Sequence, residues 1–260
     1  MMIDIGANLT HDSFDKDRDE VINEARKAGV EAFIITGSDA ACSEKARNLA
    51  HEYADCCYAT AGIHPHHAAD CNGETLDQIQ TLLADEKVVA VGETGLDYFR
   101  DFSPREAQLF SFEQHIRLAI ESGLPMFLHQ RDAHRDFGPV LKAHRDELAN
   151  VVVHCFTDNQ QALYDYLDLD CYIGITGWIC DERRGQHLLE LVSQIPENRL
   201  LIETDSPYLM PRTLRPKPKT RRNEPRFLPH IAAFIAEHLD RDLATLQATT
   251  TANSKNFFHI

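Results

Sequence analysis

Along the chain, short runs of apolar and β-branched residues alternate with longer stretches whose apolar positions recur at helical spacing. The runs are IDIGANL within the first apolar segment (Met2 to Leu9), EAFIITG (31–37), CYATAGIHP (57–65), VVAVGET (88–94), PMFLHQ (125–130), VVVHCF (151–156), CYIGITGWI (171–179) and RLLIETDSP (199–207). Near-continuous apolar runs predict strands covered on both faces. Between them, RDEVINEARKAGV sets Val21, Ile22, Ala25 and Ala28 on one helical face, and EAQLFSFEQHIRLAIESG closes on Gly123, a C-terminal stop. Alternating strand and helix imply parallel pairing. Eight such units without a linker or composition break predict a single-domain (β/α)8 TIM barrel over residues 1–260, rather than a doubly wound sheet of five or six strands.

Composition narrows the class. Hydrophobic residues make up 43% and charged residues 26%, the balance of a globular chain. The formal net charge of −15 excludes a broad basic surface for nucleic acid but leaves room for a local phosphate site. Seven cysteines with no C-x-x-C pair fit neither a disulfide framework nor a zinc knuckle, and so point to a reducing compartment. Without a leader-like N-terminus or an apolar run long enough to span a bilayer, the expected place is the cytoplasm, with no membrane contact.

A barrel of this class carries its chemistry at the carboxyl ends of its strands. Here those ends carry His64 and His66 (GIHPHH), Glu93 (VVAVGETGLD), His129 (MFLHQRD), His154 (VVVHCF), and Glu203 and Asp205 (LLIETD). Strand alternation puts Glu203 and Asp205 on one face and Thr204 on the other, and turns Cys155 away from His154 into core packing. Taken singly, each strand-end histidine reads as a hydrogen-bonded core residue, and Glu93 as a cap or salt-bridge partner. Together they outweigh that reading, because burying several ionisable groups is costly unless they pair or bind a metal. Imidazoles and carboxylates converging on one rim suit a divalent ion. His115, His134, His144, His187, His230 and His238 fall in helical segments, where a surface position is expected.

The stretches GIHPH, GETGLDY, LHQRDA, VVHCFTD, YIGITGW and IETDSPYL followed by RNEP resemble, in this order, those of the TatD family of metal-dependent deoxyribonucleases, a branch of the amidohydrolase-type barrels. The resemblance implies Mg²⁺-dependent hydrolysis of phosphodiester bonds, with 3′ to 5′ exonuclease action on single-stranded DNA and RNA. It makes Glu93 a metal-bridging carboxylate, His129 and His154 the imidazole ligands of one metal, and Asp205 a ligand that accepts a proton from the attacking water. Glu93 and Asp205 are then the catalytic pair. His64 and His66 border the site as substrate contacts, ligands or structural supports. Mg²⁺ is the expected ion by family, while the imidazoles would also suit Mn²⁺ or Zn²⁺.

One departure stands out. Many members carry an aspartate followed by H-x-H on the first strand, whose histidines hold a second metal. Here the run is Asp4-Ile5-Gly6-Ala7-Asn8. Gly6 has no donor side chain and Asn8 has only a neutral amide, so one firmly held metal is expected and a second only weakly.

The long segment after the eighth strand carries Arg212, Arg215, Lys217, Lys219, Arg221, Arg222 and Arg226 against a single acid, Glu224. It reads either as a solvated, proline-pinned loop or as a phosphate-tracking rim in which Arg221 and Arg222 bind substrate, aided by Arg131 and by Tyr208, Tyr98 or Trp178 as stacking surfaces. The RNEP run offers a second role for Arg222, anchoring the loop. Asp181-Glu182-Arg183-Arg184 reads as a helix cap with a salt bridge in preference to a catalytic group. The function expected is a nuclease trimming single strands, with DNA repair or RNA turnover as its setting and no obligate protein partner. Its rivals are a barrel hydrolase of a small-molecule C–N or C–O bond and a catalytically weakened nucleic-acid-binding barrel.

Overall fold

A computed structural model describes residues 1–260. Eight strands, β1 (Met2–Ala7), β2 (Val30–Ile35), β3 (Cys57–Ala61), β4 (Val88–Asp97), β5 (Met126–Arg131), β6 (Val151–Val153), β7 (Tyr172–Ile175) and β8 (Leu200–Ile202), form one sheet in chain order. Helices α1 (Arg18–Lys27), α2 (Ala40–Glu52), α3 (Gly73–Leu83), α4 (Arg105–Ser122), α5 (His134–His144), α6 (Gln160–Asp168) and α7 (Gln186–Val192) alternate with them, and α8 (Leu228–His238) and α9 (Leu243–Phe258) follow β8. Ala7 bridges Ser206 in parallel, bringing the end of the last strand to the first. This is the (β/α)8 barrel that the alternation predicts. No helix is long and apolar enough to cross a membrane.

The chain divides into two compact units. One comprises Met1–Ile34, Cys155–Asn159 and Ile173–Ile260. In it β1 is buried along its whole length, and Asn253 of α9 donates to the carbonyls of Glu197 and Leu200, fixing that helix at the start of β8. Strands β6 and β8 are shorter than their apolar runs, because the backbone leaves the ladder at Cys155 (φ +46°) and Asp205 (φ +52°).

The other unit comprises Ile35–His154 and Gln160–Tyr172. Its spine is the fully buried β4, which pairs in parallel with β3 and β5. Helix α4 ends as its sequence predicts, with Gly123 in the left-handed region at φ +69°. The same helix corrects one expectation: His115 is buried, not on the surface. Its Nε2 accepts from the Ile63 amide at 3.0 Å and its Nδ1 faces the Ser111 carbonyl at 2.7 Å, so both ring nitrogens serve the core. Burial pushes its pKa down to about 4, so it sits there neutral.

Candidate metal centre

The centre is built from β4 outward. Between β4 and β5 the register shifts, with Gly92 opposite Phe127 and Thr94 opposite Leu128, so Glu93 is the extra residue of a bulge. A bulge re-aims a side chain that regular pleating would fix. The flanking glycines permit it. A Cβ on Gly95, at φ +138°, would lie 2.0 Å from the His129 carbonyl oxygen, so only glycine lets β4 approach the strand that carries His129.

Three imidazoles meet one carboxylate oxygen. Glu93 Oε1 lies 2.8 Å from His154 Nε2, 3.0 Å from His129 Nδ1 and 3.2 Å from His64 Nε2. Glu93 is buried, which by itself would raise its pKa, yet the facing His154, His64 and His129 hold it well below the usual carboxylate range. The centre therefore holds an anion with nitrogens arranged around it.

The second carboxylate is Asp97, which the sequence reading did not single out. Its Oδ1 accepts from the amides of Phe99 (3.0 Å) and Arg100 (2.8 Å), while its Oδ2 faces His66 Nε2 at 2.9 Å and His129 Nε2 at 3.2 Å. Burial opposes its ionisation, but the His129 and His66 hydrogen bonds keep it ionised far below the ordinary aspartate range. Its position is readable in retrospect: β4 runs on past Thr94 to Asp97, four residues beyond Glu93.

These partners fix the histidines' protons. An ionised Asp97 only accepts, so His129 carries its hydrogen on Nε2 and turns the Nδ1 lone pair toward Glu93 Oε1. Two acceptors 3.0 Å apart need a cation between them, either a proton or a metal. Consistently, although burial lowers it, the bonds to Asp97 and Glu93 raise the His129 pKa. Ligands about 2.1 Å from one ion lie roughly 3.0–3.4 Å apart at octahedral or tetrahedral angles, so the 3.0 Å between Glu93 Oε1 and His129 Nδ1 fits two ligands of one ion, while the 2.8 Å to His154 Nε2 is a little shorter than that range.

His64 differs. Donor atoms of His64, Glu93 and His129 lie within 4.8 Å of one another, which makes His64 look like a ligand. Its Nδ1, however, accepts from the His66 amide at 3.1 Å, and burial pushes its pKa down to about 4. A neutral ring accepting at Nδ1 has its hydrogen on Nε2 and so donates toward Glu93. His64 is thereby set up as a hydrogen-bond donor rather than a metal ligand.

In the other unit, the end of β8 does not follow strand alternation, because the ladder stops at Ile202. Glu203 accepts from the Cys155 amide at 2.6 Å, Thr204 bonds buried Asp4, and Asp205 Oδ1 accepts from Asn8 Nδ2 at 3.0 Å. Asn8 Nδ2 also donates to the Ser206 carbonyl at 3.2 Å. Glu203 and Asp205 are thus spoken for by different partners, and Cys155, at φ +46° and part-buried, is not simple core packing.

The remaining candidates vary. Arg131 lies over the Phe99 ring at 4.1 Å, Tyr208 is exposed and edge-on to His11, and Arg221 is exposed. Arg222 forks onto Asp17 at 2.6 and 2.8 Å and also reaches Glu224 and the Ser13 carbonyl, the anchoring role that RNEP offered. Asp181 accepts from the Arg183 amide and pairs with Arg184 at 2.9 Å, but the cap of α7 itself is Gly185.

Residues 3–259 match the family described as TatD related DNase. The chain belongs to the TatD family. Its TatD relatives include the 3′-5′ ssDNA/RNA exonuclease TatD of Erwinia tasmaniensis, 48% identical over 259 residues and covering 100% of each chain. The protein of the same description from Shigella flexneri serotype 5b is also 48% identical, over 100% of this chain and 99% of its own. Among solved structures, a TatD homologue from Escherichia coli K12 superposes with a TM-score of 0.90 at 28% identity, covering 100% of this chain and 98% of the other. A TatD family hydrolase from Entamoeba histolytica gives 0.90 at 30%, covering 99% and 97%. The E. coli phosphotriesterase homology protein, with phosphate in its active site, shares the fold alone at 16% identity and a TM-score of 0.70 over 99% and 98%.

Proposed function

We propose that this chain is a metal-dependent nuclease that hydrolyses phosphodiester bonds and removes nucleotides from the 3′ ends of single-stranded DNA and RNA. The observation that carries the reading is the pairing of two acceptors, Glu93 Oε1 and His129 Nδ1, 3.0 Å apart with His154 Nε2 beside them, in a chain of the TatD family. Glu93, His129, His154 and Asp205 hold a divalent ion, with Mg²⁺ as the working ion and Mn²⁺ or Zn²⁺ able to substitute. Such an ion supplies Lewis-acid polarisation of a phosphoryl oxygen and a water acidic enough to ionise near neutral pH.

The chain's own groups do the rest. Asp205 takes the proton of the attacking water, and the amide of Asn8 orients it by donating to Oδ1. Asp97 holds His129 in the tautomer that presents Nδ1. His64 offers an N–H to the phosphate or to Glu93, while His66, Arg131, Tyr208 and Arg221 contact the strand. Arg222 supports the loop that carries Arg221. The cytoplasm is the expected setting, where trimming damaged ends or turning over RNA would use this reaction. The small-molecule hydrolase has no comparable support, since the relatives at 48% identity are named exonucleases.

The test is cleavage of end-labelled single strands with and without chelator, with Mg²⁺, Mn²⁺ or Zn²⁺ added back, alongside Glu93→Gln and His154→Ala. Loss of single nucleotides from the 3′ end, abolished by chelator and by both substitutions, is the expected result. Cleavage that persists in chelator or in both variants sinks the assigned site, and no cleavage under any metal sinks the nuclease.

A further inference from the structure

The long segment after β8 does more than connect. Together with the Trp178 turn it borders an open cavity of about 850 Å³ lined by Trp178, residues 181–184, residues 209–212, Leu214, Arg215 and residues 217–221, all within the first of the two units. That volume lies within the range of about 300–1,000 Å³ usual for ligand sites. Its two acids, Asp181 and Glu182, are occupied: Asp181 pairs with Arg184 at 2.9 Å, and Glu182 faces Arg212 at 3.4 Å. Four further cations on the wall, Arg215, Lys217, Lys219 and Arg221, have no carboxylate within 4.0 Å, and Arg215 bonds only backbone carbonyls. In a chain of net charge −15 this is a concentrated basic surface. The aromatic element is Trp178, with the Arg184 guanidinium 4.4 Å over its ring.

Unpaired cations beside an aromatic plane are the chemistry that holds single-stranded nucleic acid, the cations on phosphates and the ring and guanidinium on bases. An acidic peptide would use the cations and leave the aromatic unused. A rigid duplex offers no unstacked base. We propose that this cavity is a strand-binding groove, separate in its residues from the metal centre, that holds nucleotides of the substrate upstream of the 3′ end being cut. The inference deepens the nuclease reading and rests on it only for the identity of the strand as substrate.

Trp178 is the only tryptophan in the chain, so tryptophan emission, excited at wavelengths the seven tyrosines do not absorb, reports on this groove alone. The full chain carrying Glu93→Gln is titrated in chelator with oligothymidylates of two, six and twelve nucleotides, at several salt concentrations. The longer strands are expected to change Trp178 emission and the dinucleotide to change it little. Lys217→Ala/Lys219→Ala/Arg221→Ala lowers the salt slope of log Kd by about 2, since each phosphate contact on a single strand contributes roughly 0.7. Trp178→Ala, followed by anisotropy of a labelled strand, raises Kd roughly tenfold, the size of one lost stack. With Glu93 intact and metal present, the triple substitution removes the KM advantage that the dodecamer has over the dinucleotide in the wild-type chain. Lys217→Glu/Lys219→Glu makes the same test by reversing charge at two exposed positions.

The outcomes separate the two claims. Cleavage without any Trp178 response, or an unchanged salt slope in the triple variant, overturns the groove and leaves the nuclease. A length-dependent response without cleavage of any strand keeps the groove and overturns the nuclease. An equal response to a blunt duplex or to polyglutamate overturns the assignment to single strands.

Discussion

Replacing Asp97 by asparagine changes almost no volume but removes a charge and asks one oxygen to do the work of two. Asp97 Oδ1 now serves the Phe99 and Arg100 amides, at 3.0 and 2.8 Å, and Oδ2 serves His66 and His129, at 2.9 and 3.2 Å. If the asparagine oxygen stays with the two amides, its NH₂ faces His129 Nε2. That ring must then move its hydrogen to Nδ1, where it donates to Glu93 and can no longer bind a metal. If the side group flips, the NH₂ meets two backbone N–H groups, and leaving such buried donors unmet costs about 1–3 kcal/mol. Either route should weaken the metal by about 10- to 100-fold, the usual effect of losing a carboxylate behind a histidine ligand. Calorimetric titration of Mn²⁺ into the wild-type and Asp97→Asn chains reads this directly, with far-UV circular dichroism as the check on folding. Activity at low metal should fall in proportion and recover in part at high metal. A folded Asp97→Asn that binds Mn²⁺ within twofold of wild type would refute the tautomer argument.

Three further changes test the surrounding structure. Asp4 is buried, and burial pushes its carboxyl up to about 8 in spite of the Thr204 hydrogen bonds, so between its ordinary value of 3.8 and about 8 the folded chain keeps a proton that the unfolded chain has lost. Its contribution to stability is therefore fullest below about pH 4 and declines up to about pH 8. Asp4→Asn should gain on the wild type as pH rises, measured by urea unfolding at pH 5 and pH 8, and parallel pH profiles would contradict this. Gly95→Ala places a Cβ 2.0 Å from the His129 carbonyl oxygen at φ +138° and should cost at least about 3 kcal/mol, seen as a lower urea midpoint; a loss below about 1 kcal/mol would mean β4 and β5 can separate freely. Arg222→Ala removes the fork onto Asp17 and should cost about 1–2 kcal/mol and speed proteolysis within residues 212–221, whereas unchanged protection would show that the loop is held elsewhere.

What the sequence made legible follows from how local each feature is. Strand and helix alternation is written in apolar periodicity, and so the barrel could be read from the sequence, as could the placing of Glu93 and His129 on β4 and β5 and of His154 just past β6, although Glu93 sits in a bulge within its strand and not at its end. The stop at Gly123 could be read for the same reason. Asp97 was missed because two glycines break the apolar run of β4, so the strand reads as ending at Thr94 although period two leads from Glu93 through Gly95 to Asp97. Alternation failed at Glu203, Asp205 and Cys155, because β6 and β8 are only three residues long and positive φ angles turn the chain just beyond them. His115 looked like a surface residue, since nothing local reveals that the Ile63 amide needs an acceptor. Arg222 could be read as an anchor or as a substrate contact, and only the fold brings Asp17 to it. No spacing rule encodes that Asn8 donates to Asp205, nearly two hundred positions away.

The central proposal is that this chain would bind one divalent ion firmly, through Glu93, His129 and His154, and that Gly6 and Asn8 leave it without the imidazole donors for a second firm site. Native mass spectrometry and equilibrium dialysis of the substrate-free protein, stripped and then reloaded with Mn²⁺, count the ions directly. The account predicts one tight ion per chain, lost in His129→Ala, with any second ion at least about 100-fold weaker because it lacks imidazole donors. Two tightly held ions per chain in the absence of substrate would contradict it.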